Sequence, residues 1–281
     1  MTIQAFNLSP EASQEIITKA SAISGFQQAA KRMNLPGNGV QTPVLGEASA
    51  SWVAAGAQKP ESVVETSSVV IEPYTVSTIV IAQKQEIEDL ALLEEKIISE
   101  GVSALARKFD TTVAGFAAAP GSNFATFANS SVVAVTDLKT FGDALISATA
   151  SGKAATSIVL NNSLLLQLQF ATSGKTDAPV FRVDTATQTI NGIRYYVANF
   201  DSTVNEPFGV VGAFEECARW GTVSGIDVRI SEEASVGGLN FFERNLVGIR
   251  VEARYGFQVT DSSAFVKITE SDNGEDEGSD N

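Results

Sequence analysis

Histidine is absent from the 281 residues, and cysteine occurs once, at Cys217. Those two scarcities exclude histidine-based catalytic triads, histidine zinc sites and intrachain disulfides, and with them most common enzyme chemistries. No stretch approaches the roughly 20 apolar residues that a membrane helix needs. The start, MTIQAFNLSPEASQEII, lacks a basic leader followed by an apolar core, so a cytoplasmic origin without a membrane partner is expected. Positive charge is scarce too: 19 Lys and Arg face 33 Asp and Glu, for a net charge of -14. Tight sequence-independent grip on nucleic acid needs clustered Lys and Arg. Lys31-Arg32, the only tight basic pair near the start, is too small a footprint for it.

What is present is enough apolar residue, 44%, to bury a sizeable core in one large domain or two. The last twelve residues, ESDNGEDEGSDN, hold six acids and no base, leaving -8 on the body. Such an apolar-poor, self-repelling run reads as a disordered, solvated tail over 270–281.

Along the chain, residues 11–33 carry a short amphipathic helix signal that ends before Leu35-Pro36-Gly37. From 41 to 84 the sequence turns β-like and rich in Val, Ile and Thr, with GAQKPES between two long strands. From Ile87, the residues Leu90, Leu93, Ile97, Val102, Leu105, Phe109, Val113 and Phe116 recur at near-helical spacing. The acids Glu86, Glu88 and Asp89 suit the start of that helix, and Pro120-Gly121 is its expected stop. Residues 123–220 alternate: a helix Leu138–Thr149, a strand Ser157–Leu160, a helix capped near Asn162 or Ser163, and strands Val180–Val183 and Ile193–Ala198. Beyond Gly221, Ile249, Val251, Ala253 and Tyr255 alternate with Arg250, Glu252 and Arg254, which marks a long strand with one apolar face.

The ribbon around GAQKPES poses a physical difficulty. A lone pair of strands is marginal in water, and Trp52, Val69, Val70, Ile71, Ile79 and Ile81 cannot all be covered by a hairpin folded on itself. Its own lobe or a neighbouring copy must cover it. An arm, a hairpin and a long helix together suggest a chain that interlocks with copies of itself.

The order of these pieces resembles the major capsid proteins of tailed phages, with the Hong Kong 97-type shell fold. The pieces are an arm, a hairpin tipped by KPES, the acidic stretch QEIEDLALLEEKI leading into a long helix, an α/β lobe, and the late strand RNLVGIRVEARYGFQVTDSSAFVKI. The resemblance spans 40–269. It implies an α+β chain divided into an N-terminal arm (1–39), an extended β-hairpin loop (40–85), the spine helix of a peripheral domain (86–122), an axial domain (123–222) and peripheral return strands (223–269). It implies a structural shell protein without cofactor or metal, forming hexamers and pentamers of an icosahedral head. Packaged double-stranded DNA would be enclosed without sequence-specific binding. A portal protein at one vertex and scaffolding or decoration proteins are further implied partners, with assembly in the host bacterial cytoplasm and residence in the virion. With its short start the chain is expected to lack a fused scaffolding segment, so that a separate scaffold acts or none is needed, and Gly212-Ala213-Phe214 stands where many members have a Gly-Asp-aromatic turn.

In members that weld their shells, a loop-tip lysine joins a neighbour's asparagine with help from a glutamate; the matching residues are Lys59, Asn245 and Glu252. Asn245 and Glu252 are an odd number apart, so one straight strand would point them to opposite sides, a difficulty that contributions from different subunits, as in the welded shells, would resolve. The plainer reading is favoured: Lys59-Pro60 shapes the tip, Asn245 caps a turn, and Glu252 pairs with Arg250 or Arg254. Interface residues are expected to be Trp52 and Lys59, with Arg244, Arg250 and Arg254 as partners for acidic groups.

Gly174-Lys175-Thr176 lacks the first glycine of a phosphate loop, because Gln169 stands there. Gly237-Gly238 reads as a turn, and Cys217 as a small buried apolar residue. Two other readings of the chain are an encapsulin-like compartment shell and a β-rich binding module or carboxylate hydrolase.

Overall fold

The computed structural model describes residues 24–46, 48–59, 61–62, 64–89, 93–135, 137–149, 151–172, 179–201, 204 and 206–269. The expected tail at 270–281, Pro60, Leu90, Gly174-Lys175-Thr176 and the first part of the 11–33 helix lie outside them.

In chain order the elements are α1 (Gly25–Ala29), β1 (Lys31–Asn34), β2 (Val40–Leu45), β3 (Thr66–Ile71), β4 (Tyr74–Gln83), α2 (Lys84–Asp89), α3 (Leu93–Ala114), β5 (Ser131–Ala134) and α4 (Leu138–Thr149). There follow β6 (Ser157–Leu160), α5 (Asn162–Phe170), β7 (Val183–Asp184), β8 (Thr189–Ile190), β9 (Ile193–Val197), β10 (Phe208–Gly212) and α6 (Phe214–Cys217). The chain continues with β11 (Ala218–Ser231), β12 (Ser235–Val236), β13 (Leu239–Asn240), α7 (Phe241–Arg244), β14 (Leu246–Val259), a 3-10 turn (Ser262–Ala264) and β15 (Phe265–Thr269).

Two sheets organise the body, one of four strands in the order β1-β11-β14-β4 and one of seven in the order β5-β15-β10-β6-β9-β8-β7. The alternation read in the sequence sets the first. Ile249, Val251, Ala253 and Tyr255 are buried, while Arg250, Glu252 and Arg254 are half-buried on the other face. Helix α3 covers the apolar face with Val102, Leu105, Phe109 and Val113. Gly101 lets the helix lie flush, since a Cβ there would stand 2.7 Å from Val251 Cγ2.

The seven-stranded sheet is covered on both sides, which is why β6 and β10 read as unbroken buried runs. Val159 and Val210 join a core continuous with α3 and the four-stranded sheet, whereas Ile158, Leu160 and Val211 face a second core under α4 and α5. At the centre of the first core Phe26 stacks on Phe127, and Phe214, Phe257 and Phe265 pack against them tilted or edge to face, with Phe127 and Phe214 each 5.0 Å from Phe265.

Several expectations are corrected. Within 24–33 only Gly25–Ala29 is helical, and Lys31–Asn34 pairs parallel with Arg219–Thr222. Phe26 docks in the core at 0% exposure, so the chain must then run extended along the sheet edge. The long helix ends at Ala114, before Pro120-Gly121. Gly115, at φ 95°, lets its own N–H bond Thr112 O (3.1 Å) and that of Phe116 bond Thr111 O (3.0 Å), a glycine-terminated helix end. Asn161, rather than Asn162 or Ser163, caps α5, accepting from Leu164 N at 3.0 Å. The Val180–Val183 strand shrinks to Val183–Asp184. Gly237-Gly238 forms a two-residue turn between β12 and β13 with both φ positive.

The hairpin is shorter than 40–85. It pairs Val40–Leu45 with Thr66–Ile71, whereas β4 lies alongside β14 over ten positions, from Tyr74↔Tyr255 to Gln83↔Leu246. β14 offers a partner of matching alternation and length, which β2 does not. Ala218–Thr222 belongs to the four-stranded sheet, and Phe265–Thr269 inserts between β5 and β10 of the other.

Candidate assembly surfaces

The hairpin is rooted where β14 ends. Gln258, 1% exposed, donates to Val69 O at 3.3 Å and accepts from Thr42 Oγ1 at 3.4 Å. Beyond Leu45 and Thr66 the connecting loop leaves Trp52 completely bare, at 105% exposure, and Lys59 is exposed as well. Ser49 N donates to Ser62 Oγ at 2.9 Å, one polar tie across this loop.

Asn245 sits at the opposite end of β14 from that root. It closes α7 in the left-handed conformation, φ 54° and ψ 45°, and its carbonyl accepts from Lys84 N at 3.0 Å. It therefore caps a turn, as the plainer reading expects. Glu252 lies on the open face of β14, with Arg250 Nε 3.6 Å from its carboxylate and Arg250 NH2 3.8 Å from Asp227. Arg229 also pairs with Asp227, at 2.9 Å. These side chains are 30–64% exposed, so each pair contributes at most about 1 kcal/mol. Arg254 is tied within its own chain. Its guanidinium donates to the Gly37 carbonyl at 3.4 Å, tying the 35–39 turn to the sheet. Arg244, in the last turn of α7, is exposed.

Asp110 went unread in the sequence. It is wholly buried on α3, accepts from Ser24 Oγ, Gly25 N and Asn199 N, and burial pushes its carboxyl up to about 7. Its spacing, i+4 from Ala106 and i−3 from Val113, places an acid on the apolar face of the helix. That was the available signal.

Cys217 is buried at 1% exposure, in line with a small apolar role. Among the described residues no group of three or more Cys, Asp or Glu side chains could hold a metal, and no helix is long and apolar enough to cross a membrane.

A ribbon carrying a bare tryptophan, a long helix clamped across one sheet, and ion pairs spread over an open sheet face describe a subunit built to be covered by others. The chain belongs to the phage capsid family, whose model matches residues 4–269. Among its relatives is a probable major capsid protein of Mycobacterium phage L5, 26% identical and aligned over 94% of this chain and 90% of that one. Among solved structures, a chain of Mycobacterium phage Bobi shares the fold at TM-score 0.72 and 21% identity, covering 88% of this chain and 90% of that chain. A chain from the capsid of a native GTA particle shares it at TM-score 0.60 and 14% identity, covering 90% of each. The α+β shell fold expected from the sequence is the fold found.

Proposed function

We propose that this chain is the major shell subunit of a tailed phage or prophage, closing as hexamers and pentamers into an icosahedral head around double-stranded DNA. The observation that carries this reading is the hairpin. It is anchored at one end by Gln258 and bare at the other, where Trp52 is fully exposed. Such a surface is unfavourable in an isolated subunit and favourable once a neighbour covers it. Many contacts, each weak, would then sum through multivalency into a stable shell. In this reading 40–71 serves as the extended loop, α3 as the spine, the four-stranded sheet as the peripheral unit and the seven-stranded sheet as the axial unit. The net charge of -14 suits a wall that contains DNA without binding it tightly. A portal at one vertex and scaffolding or decoration proteins would complete the particle, assembled in the bacterial cytoplasm and ending in the virion.

Electron microscopy of the purified full chain tests this. Hollow icosahedral particles are expected. A dispersed monomer under every assembly condition would overturn the reading, and a ligand-sized pocket in that monomer would favour a binding module.

A further inference from the structure

Trp52 and an open cavity on the same chain fit one another. The tryptophan stands alone in a run of small residues, Ala48-Ser49-Ala50-Ser51 before it and Val53-Ala54-Ala55-Gly56-Ala57 after it. With 105% exposure it is buried by nothing in its own chain. A single large knob on a thin loop is a shape that enters clefts, and tryptophan is among the residues enriched at the energetic centres of protein interfaces.

The cavity lies between α3, the start of β4 and the later part of β14, and measures about 140 Å³. That is close to the roughly 150 Å³ of an engineered apolar cavity that takes up benzene, so the six-membered ring of an indole can enter while the rest of the side chain stays in the open mouth. Its walls are Tyr74, Phe109, Phe124 and Tyr255, already arranged edge to face. Tyr74 and Phe109 each stand near Phe124, at 6.2 and 6.0 Å, and Phe109 stands 5.5 Å from Tyr255. An indole entering there continues the same pattern. Two polar groups suit it as well. Lys108 lines the cavity with its side chain 53% exposed and its ammonium only loosely paired, 3.9 Å from Asp201, which leaves it able to turn toward a ring. Thr112 Oγ1 donates to Lys108 O at 2.8 Å and keeps lone pairs free to accept the indole N–H.

We propose that Trp52 of one copy seats in this cavity of the next, an inference that rests on the shell reading above. Knob and hole are different residues of the chain, so two copies could exchange them reciprocally or several could pass them head-to-tail around a ring, and the shell reading calls for the ring. Residues 46–65 carry Glu47, Glu61 and Glu65 against Lys59 alone, and Lys108 at the cavity, 3.9 Å from Asp201, is the cation they would meet.

The chain contains two tryptophans, so Trp220→Phe leaves Trp52 as the only indole emitter. In that variant the emission of Trp52 is expected to shift to the blue, and its quenching by acrylamide to be lost, when subunits assemble into particles. In a second variant with both tryptophans kept, Val53→Cys with Lys108→Cys, oxidised particles should run as disulfide-linked oligomers on a non-reducing gel, and each single cysteine should not. Particles that form while Trp52 stays solvent-quenched overturn the inference and leave the shell reading standing. So does a buried Trp52 without Val53–Lys108 linkage, because another surface then covers it. Should Trp220→Phe fail to fold, the cysteine pair decides alone. Failure of the wild-type chain to form particles overturns both readings together.

Discussion

Ser24 Oγ lies 2.5 Å from Asp110 Oδ1, across 86 positions of sequence, in a place that water does not reach. The other carboxyl oxygen accepts from Gly25 N at 3.0 Å and Asn199 N at 3.3 Å. One side chain thus ties together the first described segment, the long helix and the loop after β9. These partners are neutral donors. The charged groups nearest in sequence, Lys108 with Asp201 and Arg107 with Glu100, form ion pairs with side chains 33–66% exposed.

Burial raises the Asp110 carboxyl from 3.8 to about 7, against the pull of those three bonds. The folded state therefore favours the neutral acid. Stability from this group is complete below about pH 4 and is lost as pH rises through about 7. The three-unit shift corresponds to something on the order of 4 kcal/mol. Asp110→Asn should flatten this dependence, because its Nδ2 can donate to Ser24 Oγ while its Oδ1 accepts the two backbone N–H groups. Urea midpoints from about pH 5 to about pH 8 are the measurement, and an unchanged slope in the variant would show that another group titrates.

Gly101 sets two rules against each other. Alanine is favoured over glycine inside a helix by about 1 kcal/mol, so propensity alone predicts that Gly101→Ala stabilises. Packing predicts the reverse, since the added methyl would stand 2.7 Å from Val251 Cγ2 and 3.3 Å from its Cβ. Val251 is buried at 0% exposure and stiff at χ1, so it has little room to turn away. Overpacking of this kind costs about 1–3 kcal/mol. A net loss of up to about 2 kcal/mol is expected, seen as a lower thermal midpoint; a higher one would mean that helix and sheet separate at little cost.

Local signals were legible and partners were not. Leu138–Thr149 and Ser157–Leu160 emerge at the residues read from the sequence, because an amphipathic face and a short buried apolar run each declare themselves within a few residues. The alternation of Ile249 through Tyr255 likewise declares the buried face of β14. It does not say which strand lies beside it, and β4, whose partners lie some 163 to 181 positions away, was assigned to the hairpin in consequence. The end of α3 was written in the sequence at Gly115, yet Pro120-Gly121 is the louder signal. At the surfaces, Trp52 and Lys59 were named because a hairpin folded on itself cannot cover its own apolar residues. The bond of Arg254 to a backbone carbonyl was not legible, because nothing in the sequence places Gly37 beside it.

Lys59 supplies the last test. Attack on the Asn245 carboxamide needs a base at the amine and an enclosed meeting place. The structure separates the parts. Asn245 stands at one end of β14, the hairpin that carries Lys59 is rooted at the other, and Glu252 lies seven residues from Asn245, ~23 Å along the strand. No single subunit can present amide and carboxylate to one lysine. Glu252 already faces Arg250, and the Asn245 backbone is held by Lys84. Particles boiled in detergent should therefore run as one band near 29.6 kDa, and Lys59→Ala should leave that band unchanged. A ladder of higher bands that disappears in Lys59→Ala would show instead that three subunits bring amine, amide and carboxylate together in the closed shell.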